Sequence, residues 1–247
     1  MLASLLARTG CSLGLTLWVV VSLVVGQILG QLLVLSSGIQ ANIAVLTTVA
    51  AVFGYSLGIL IAVGGSLMVS RRRSIDKKQW GIERLPSWSD IGLGALSVLP
   101  YFVLASVVIW IGTDLLKLID PDVGQQQSFT NLYLRIEYIV AFFTLVVLAP
   151  IAEEFLFRGF FQGKVAKYAG SVAAVLLVAI VFGLMHLIGF SEEGAVVFQW
   201  GAAADTFALG IAAGVLRLIT GSIWAGVILH AIKNGIAYYF LFIYVAG

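Results

Sequence analysis

Seven polar residues stand inside stretches of the chain that are otherwise apolar: Glu153, Glu154, Arg158, His186, Asp205, His230 and Asn234. Both histidines of the protein are among them. Ionisable groups within membrane-spanning segments are rare and functional by default, so their spacing matters. In APIAEEFLFRG, residues 149–159, Glu154 and Arg158 are four apart and share a helix face. Phe182 and His186 in FGLMH repeat that spacing, and so do His230 and Asn234 in HAIKN. Three helices each aim one polar pair along one face.

Such a set can hydrolyse a peptide bond. A carboxylate takes a proton from water, an imidazole orients that water, and hydrogen-bond donors hold the oxyanion. Glu153 with His186 suits the first task, and His230 with Asn234 the second. Glu154 then neutralises Arg158, which would otherwise be an unpaired cation in lipid. Glu153, His186 and His230 are also the residue types of a three-ligand catalytic zinc site, and residue types alone do not separate the two chemistries. The metalloprotease helix H-E-x-x-H is absent.

The elements that must carry these residues follow from composition. The 247 residues are 61% hydrophobic and 11% charged, with a mean hydropathy of +1.07. Soluble domains carry about a quarter charged residues, so lipid is the solvent here. A bilayer core needs about 20 apolar residues per helix, which predicts an all-α polytopic transmembrane bundle of seven spans. They fall near 12–35, 43–69, 90–118, 137–160, 171–189, 200–218 and 222–245. The N-terminal stretch reads as a retained first span rather than a cleaved signal. One cysteine, Cys11, excludes an internal disulfide and a cysteine-cluster metal site. No repeat or linker divides the chain, so 1–247 reads as one integral-membrane domain.

The most polar stretch, residues 71–90, holds Arg71, Arg72, Arg73, Lys77, Lys78 and Arg84. By the positive-inside rule it is a cytoplasmic loop and the N-terminus is cytoplasmic. The plasma membrane is the expected location. Arg158, Lys164, Lys167 and Arg217 then fall inside, and Asp120, Asp122, Glu192 and Glu193 outside. Trp80 and Trp88 are expected at headgroup level, and Phe198 and Trp200 at the opposite interface. The basic run touches anionic lipid. Without interleaved aromatics it is no nucleic-acid site. The segment 189–200 reads as an outer loop that could cap the site.

Depth is consistent with one site. Were helices four and five an antiparallel hairpin turning near Gly170, Glu153 and His186 would each lie roughly 21–24 Å from the turn. Pro150 would kink the fourth helix beside the carboxylates. His230 matches less well, about 12 Å into its span. Asp205, about five residues into its span, is expected at the outer interface, with pairing to Lys233 the alternative.

In this order and spacing, EEFLFR, FGLMH and HAIKN resemble the CPBP family of CAAX proteases and bacteriocin-processing enzymes. This is also called the Abi family and includes the type II CAAX prenyl endopeptidases. The stretch RLITGSIWAGVILHAIKN is similar to the family's last block, and the resemblance covers about 137–240. It implies an intramembrane endopeptidase, glutamate-dependent or metal-dependent, with 137–240 as its catalytic core. Glu153 and His186 would activate water, His230 and Asn234 would hold the oxyanion, and Glu154, Arg158 and Phe182 would support them. The substrate would be a membrane-associated, lipidated or CAAX-like peptide or protein. Eukaryotic members are drawn with eight spans, one more than read here. Two other functional classes compete: a proton-coupled transporter relaying through Glu153, His186 and Asp205, and a scaffold or immunity protein with an idle site.

Overall fold

A computed structural model describes residues 2–70, 74–120, 123, 128–130, 132–190 and 195–244, with side chains from residue 10 onward. The chain is an all-α bundle. Among the described residues, six helices are long and apolar enough to cross a membrane: α1 (Gly10–Ser36), α2 (Ile43–Val69), α4 (Trp88–Leu115), α5 (Arg135–Ala169), α7 (Trp200–Thr220) and α8 (Trp224–Tyr244). Two shorter helices join them, α3 (Lys77–Trp80) and α6 (Ser171–Leu184), with one small antiparallel hairpin, β1 (Ile188–Phe190) and β2 (Val196–Phe198). Arg71, Arg72, Arg73, Asp122, Glu192 and Glu193 lie outside the described residues.

Helices α1 and α2 form a hairpin held by backbone proximity. A Cβ added to Gly30 would meet Ala50 O and Gly54 N at 2.6 Å, and one on Gly26 would meet Gly54 O at 2.6 Å. With no hydrophobic force between helices in lipid, such close van der Waals packing is what joins them. Asn42 caps α2 by accepting from Ala44 N–H at 2.8 Å.

Pro150 does not break α5. It has no N–H to give and would clash with the preceding turn of an α-helix. The strain is taken up by a π-turn over Phe143–Leu148, and a second π-turn follows at Phe155–Phe161. Such wide turns are frequent at functional sites; here they bracket Glu153 and Glu154.

The fifth predicted span is shorter than the hydropathy pattern indicates. Helix α6 ends at Leu184 and, at 1.5 Å per residue, is only about 21 Å long. The chain turns through Met185–Leu187 and leaves as β1, so the segment expected as a loop begins and ends in paired strands.

Trp80 departs from its expected place at headgroup level. It is 2% exposed and packs edge-on against Phe155 and Phe160, with ring centroids at 5.6 and 5.2 Å. Its large apolar area is better buried in protein. Trp88 is 86% exposed. Around Trp80 the polar loop folds into the bundle as a plug. Arg217 donates to Gln79 O at 2.8 Å, and Ile223 N–H donates to Gly81 O at 3.1 Å. The plug draws the α7–α8 turn inward.

Candidate active site

Helix α5 supplies both glutamates. Glu154 and Arg158 are completely buried and paired, Arg158 Nη1 donating to Glu154 Oε1 at 2.9 Å. The guanidinium also lies over the Phe182 ring, 4.3 Å from its centroid. A buried cation needs such support, because leaving it unpaired in an apolar medium costs several kcal/mol. Nε and Nη2 of Arg158 and Oε2 of Glu154 have no hydrogen-bond partner. Gly226 gives that Oε2 its room: a Cβ there would stand 3.1 Å from it.

Glu154 has a second partner. His230 Nδ1 lies 3.1 Å from Glu154 Oε1, and its Nε2 lies 3.9 Å from Glu153 Oε2. A carboxylate only accepts, so Nδ1–H donates to Glu154. Nε2 is thereby turned toward Glu153. The depth mismatch expected for His230 is removed by the plug. Ile223 sits at the level of Gly159, whose added Cβ would approach Trp80 O at 3.1 Å and Ile223 Cγ2 at 3.8 Å. From there His230 is about 10 Å up α8, and the two glutamates are about 8–9 Å up α5.

His186 is placed by the end of α6 rather than by a helix face. Its N–H donates to Gly183 O at 2.9 Å, and its Nδ1 lies 2.9 Å from Phe182 O. A carbonyl accepts, which leaves Nε2 as the free acceptor. Phe182 lies near-perpendicular to both imidazoles, with centroids 5.2 Å from His186 and 6.0 Å from His230. One ring thus contacts Arg158 and both histidines.

Asn234 is tied to the π-turn. Ala149 N–H bonds to Thr144 O, and Pro150 has no N–H, so the Leu145 carbonyl lacks a helical donor. Asn234 Nδ2 donates to it at 2.8 Å. The second hydrogen of that amide remains available. Proline, wide turn and asparagine act as one unit, which neither EEFLFR nor HAIKN reveals by itself.

Glu153, His186, His230 and Asn234 line one cavity of about 190 Å³, together with Tyr55, Thr206 and Lys233. Tyr55 is a residue the motifs do not contain. Its hydroxyl donates to Glu153 Oε1 at 2.6 Å. The available signal was a tyrosine at mid-span, since tyrosines concentrate at membrane interfaces. The string Gly54-Tyr55-Ser56-Leu57-Gly58 also spells G-x-S-x-G, but it lies inside continuous helix rather than on the strand–turn–helix elbow that exposes a serine nucleophile. Its glycines pack against α1. Asp205 is not simply an interface residue: it pairs with Lys233 at 2.9 Å and accepts from the Tyr101 hydroxyl.

Among the described residues no three His, Cys, Asp or Glu side chains converge closely enough to hold a metal ion. Glu153, His186 and His230 face one cavity without forming a three-ligand cluster.

This fold and site define a polytopic membrane protein with carboxylates, imidazoles and an amide gathered at one internal cavity. Residues 135–236 match the family model described as Type II CAAX prenyl endopeptidase Rce1-like. That segment starts with α5, ends within α8 and contains every residue of the three motifs. Over that segment the chain is similar to the CPBP family of CAAX-protease-like integral membrane proteins. No curated protein and no solved structure matches the chain.

Proposed function

We propose that the chain is an intramembrane endopeptidase that cleaves a membrane-associated peptide or protein with a water activated by Glu153 and His186. The observation that carries this reading is the shared cavity of Glu153, His186, His230 and Asn234. A water there gives one proton to Glu153, while His186 Nε2 accepts a hydrogen bond from its other O–H and orients it. The resulting hydroxide attacks the carbonyl carbon. Asn234, through its second amide hydrogen, and His230, through Nε2–H in its imidazolium form, hold the oxyanion. When the tetrahedral adduct collapses, the C–N bond breaks and the proton on Glu153 passes to the leaving nitrogen. Glu154 and Arg158 hold His230 and the Phe182 ring in place. In this reading 137–240 is the catalytic core, 71–90 a cytoplasmic loop, and the N-terminus cytoplasmic.

The family resemblance makes a lipidated or CAAX-like peptide the first class of substrate to try. The test compares peptide termini in native-host membranes of three strains: wild type, gene deletion, and deletion complemented with Glu153→Ala at equal level. Termini that require Glu153 are expected. If the Glu153→Ala strain restores every terminus and phenotype of the wild type, the chain is a membrane scaffold with an idle site.

A further inference from the structure

The helical hairpin α1–α2 lies outside the matched segment, yet it reaches the site. Three of the side-chain hydrogen bonds that join α2 to α5 lead to the site: Asn42 donates to Glu137, Thr144 Oγ1 donates to Thr48 Oγ1 at 2.9 Å, and Tyr55 donates to Glu153 at 2.6 Å. Their positions rise together along both helices, so α2 and α5 run in the same direction. On α2 the links are six and seven residues apart, and on α5 seven and nine. The π-turn at Phe143–Leu148 inserts extra backbone between the second and third links and helps take up that difference. The wide turn therefore brings Glu153 into register with Tyr55.

Tyr55 also stands where cavities meet. It lines the catalytic cavity, a neighbouring space of about 180 Å³ with Phe182 and His186, and a groove of about 610 Å³ that contains Gln27, Gln31 and Ile43. Its ring is a wall common to all three. Its hydroxyl makes the one hydrogen bond to Glu153 formed among the described residues. A glutamate facing open space would sample several rotamers.

We infer that Tyr55 is a positioning residue for Glu153, fixing Oε1 so that Oε2 faces the cavity and His230. This role rests on the hydrolase reading above. It makes the N-terminal hairpin part of the catalytic unit. A hydrogen bond to a charged group is worth enough to change a rate by about 10- to 100-fold.

The experiment uses the full-length protein in four forms: wild type, Glu153→Gln, Tyr55→Phe and Thr48→Val. Tyr55→Phe keeps the wall and removes the hydroxyl. Thr48→Val removes the neighbouring α2–α5 link without touching the site. A synthetic peptide spanning a Glu153-dependent terminus, presented in phosphatidylglycerol vesicles, gives kcat and KM. Infrared difference spectra of the substrate-free protein follow the carboxylate band that Glu153→Gln deletes. Tyr55→Phe is expected to lower kcat about 10- to 100-fold with KM unchanged and to shift that band. Thr48→Val is expected to do neither. The inference is overturned if Tyr55→Phe keeps kcat within about two-fold, leaves the band in place, or falls no further than Thr48→Val. If instead no terminus depends on Glu153, the hydrolase reading itself fails and the role of Tyr55 falls with it.

Discussion

Glu154 and Arg158 are both completely buried, four residues apart on α5. Glu154→Gln strands the guanidinium charge over the face of Phe182 at 4.3 Å. Breaking a buried pair costs about 3–5 kcal/mol. The cation–π contact is present before and after the substitution and cancels, while the glutamine oxygen still accepts one guanidinium hydrogen, so the expected loss is at the low end, about 3 kcal/mol. Arg158→Met strands Glu154 instead. His230 Nδ1 still donates to it at 3.1 Å, and the expected loss is again about 3 kcal/mol. The double variant leaves no stranded charge. It should cost about 3 kcal/mol rather than the sum of about 6, a coupling of about 3. Unfolding titrations with SDS in mixed micelles measure all four corners of the cycle. Hydrolysis should behave differently. The uncharged amide is a weaker acceptor for His230 than the carboxylate. Activity should therefore fall about 10-fold with Glu154→Gln and stay low in the double variant. Single losses that simply add, or that stay below about 1 kcal/mol, would refute the reasoning about the pair.

Three further outcomes are expected. Gly226→Ala brings a methyl to about 3.1 Å from Glu154 Oε2; overpacking of this kind costs about 1–3 kcal/mol, and thermal shift together with the cleavage rate will show both fall. Gly30→Val forces α1 from α2, because even a Cβ there meets Ala50 O at 2.6 Å; reduced thermal stability and reduced turnover should appear together, since Tyr55 follows Gly54 directly. Dialysis against 1,10-phenanthroline should leave the rate within about two-fold, as no three-ligand donor set is formed among the described residues; loss of activity restored by zinc would instead place a metal in the site.

The sequence makes the helical class legible because lipid permits few alternatives, and long apolar stretches such as Ile43–Val69 coincide with their predicted spans. The motif residues are legible because a charge in lipid demands a reason. Hydropathy, however, does not register where a helix stops inside protein. It carries the fifth span through His186, whereas α6 ends at Leu184 and the turn places the ring. Trp80 departs from expectation for a related reason: a tryptophan in a charged loop looks interfacial, and nothing local shows that Phe155 and Phe160 cover it. The spacing of Glu154 and Arg158 gave their pairing directly, but not the second bond from His230, seventy-six residues away. Tyr55 was invisible to motif reasoning because its role depends on the register between α2 and α5, set partly by a π-turn. Asp205 joined Lys233 because two charges near one cavity gain more from each other than from an apolar interface.

In the proposed mechanism Glu153 activates water rather than attacking the substrate itself. Purified protein, in excess over a peptide that spans a Glu153-dependent cleavage site, would be taken through one turnover in oxygen-18 water. Product and enzyme would then be analysed by mass spectrometry. The account predicts oxygen-18 in the new C-terminal carboxylate, an unlabelled Glu153, and no cleavage by Glu153→Gln. Oxygen-18 in the Glu153 side chain after that turnover, or cleavage that survives Glu153→Gln, would contradict it.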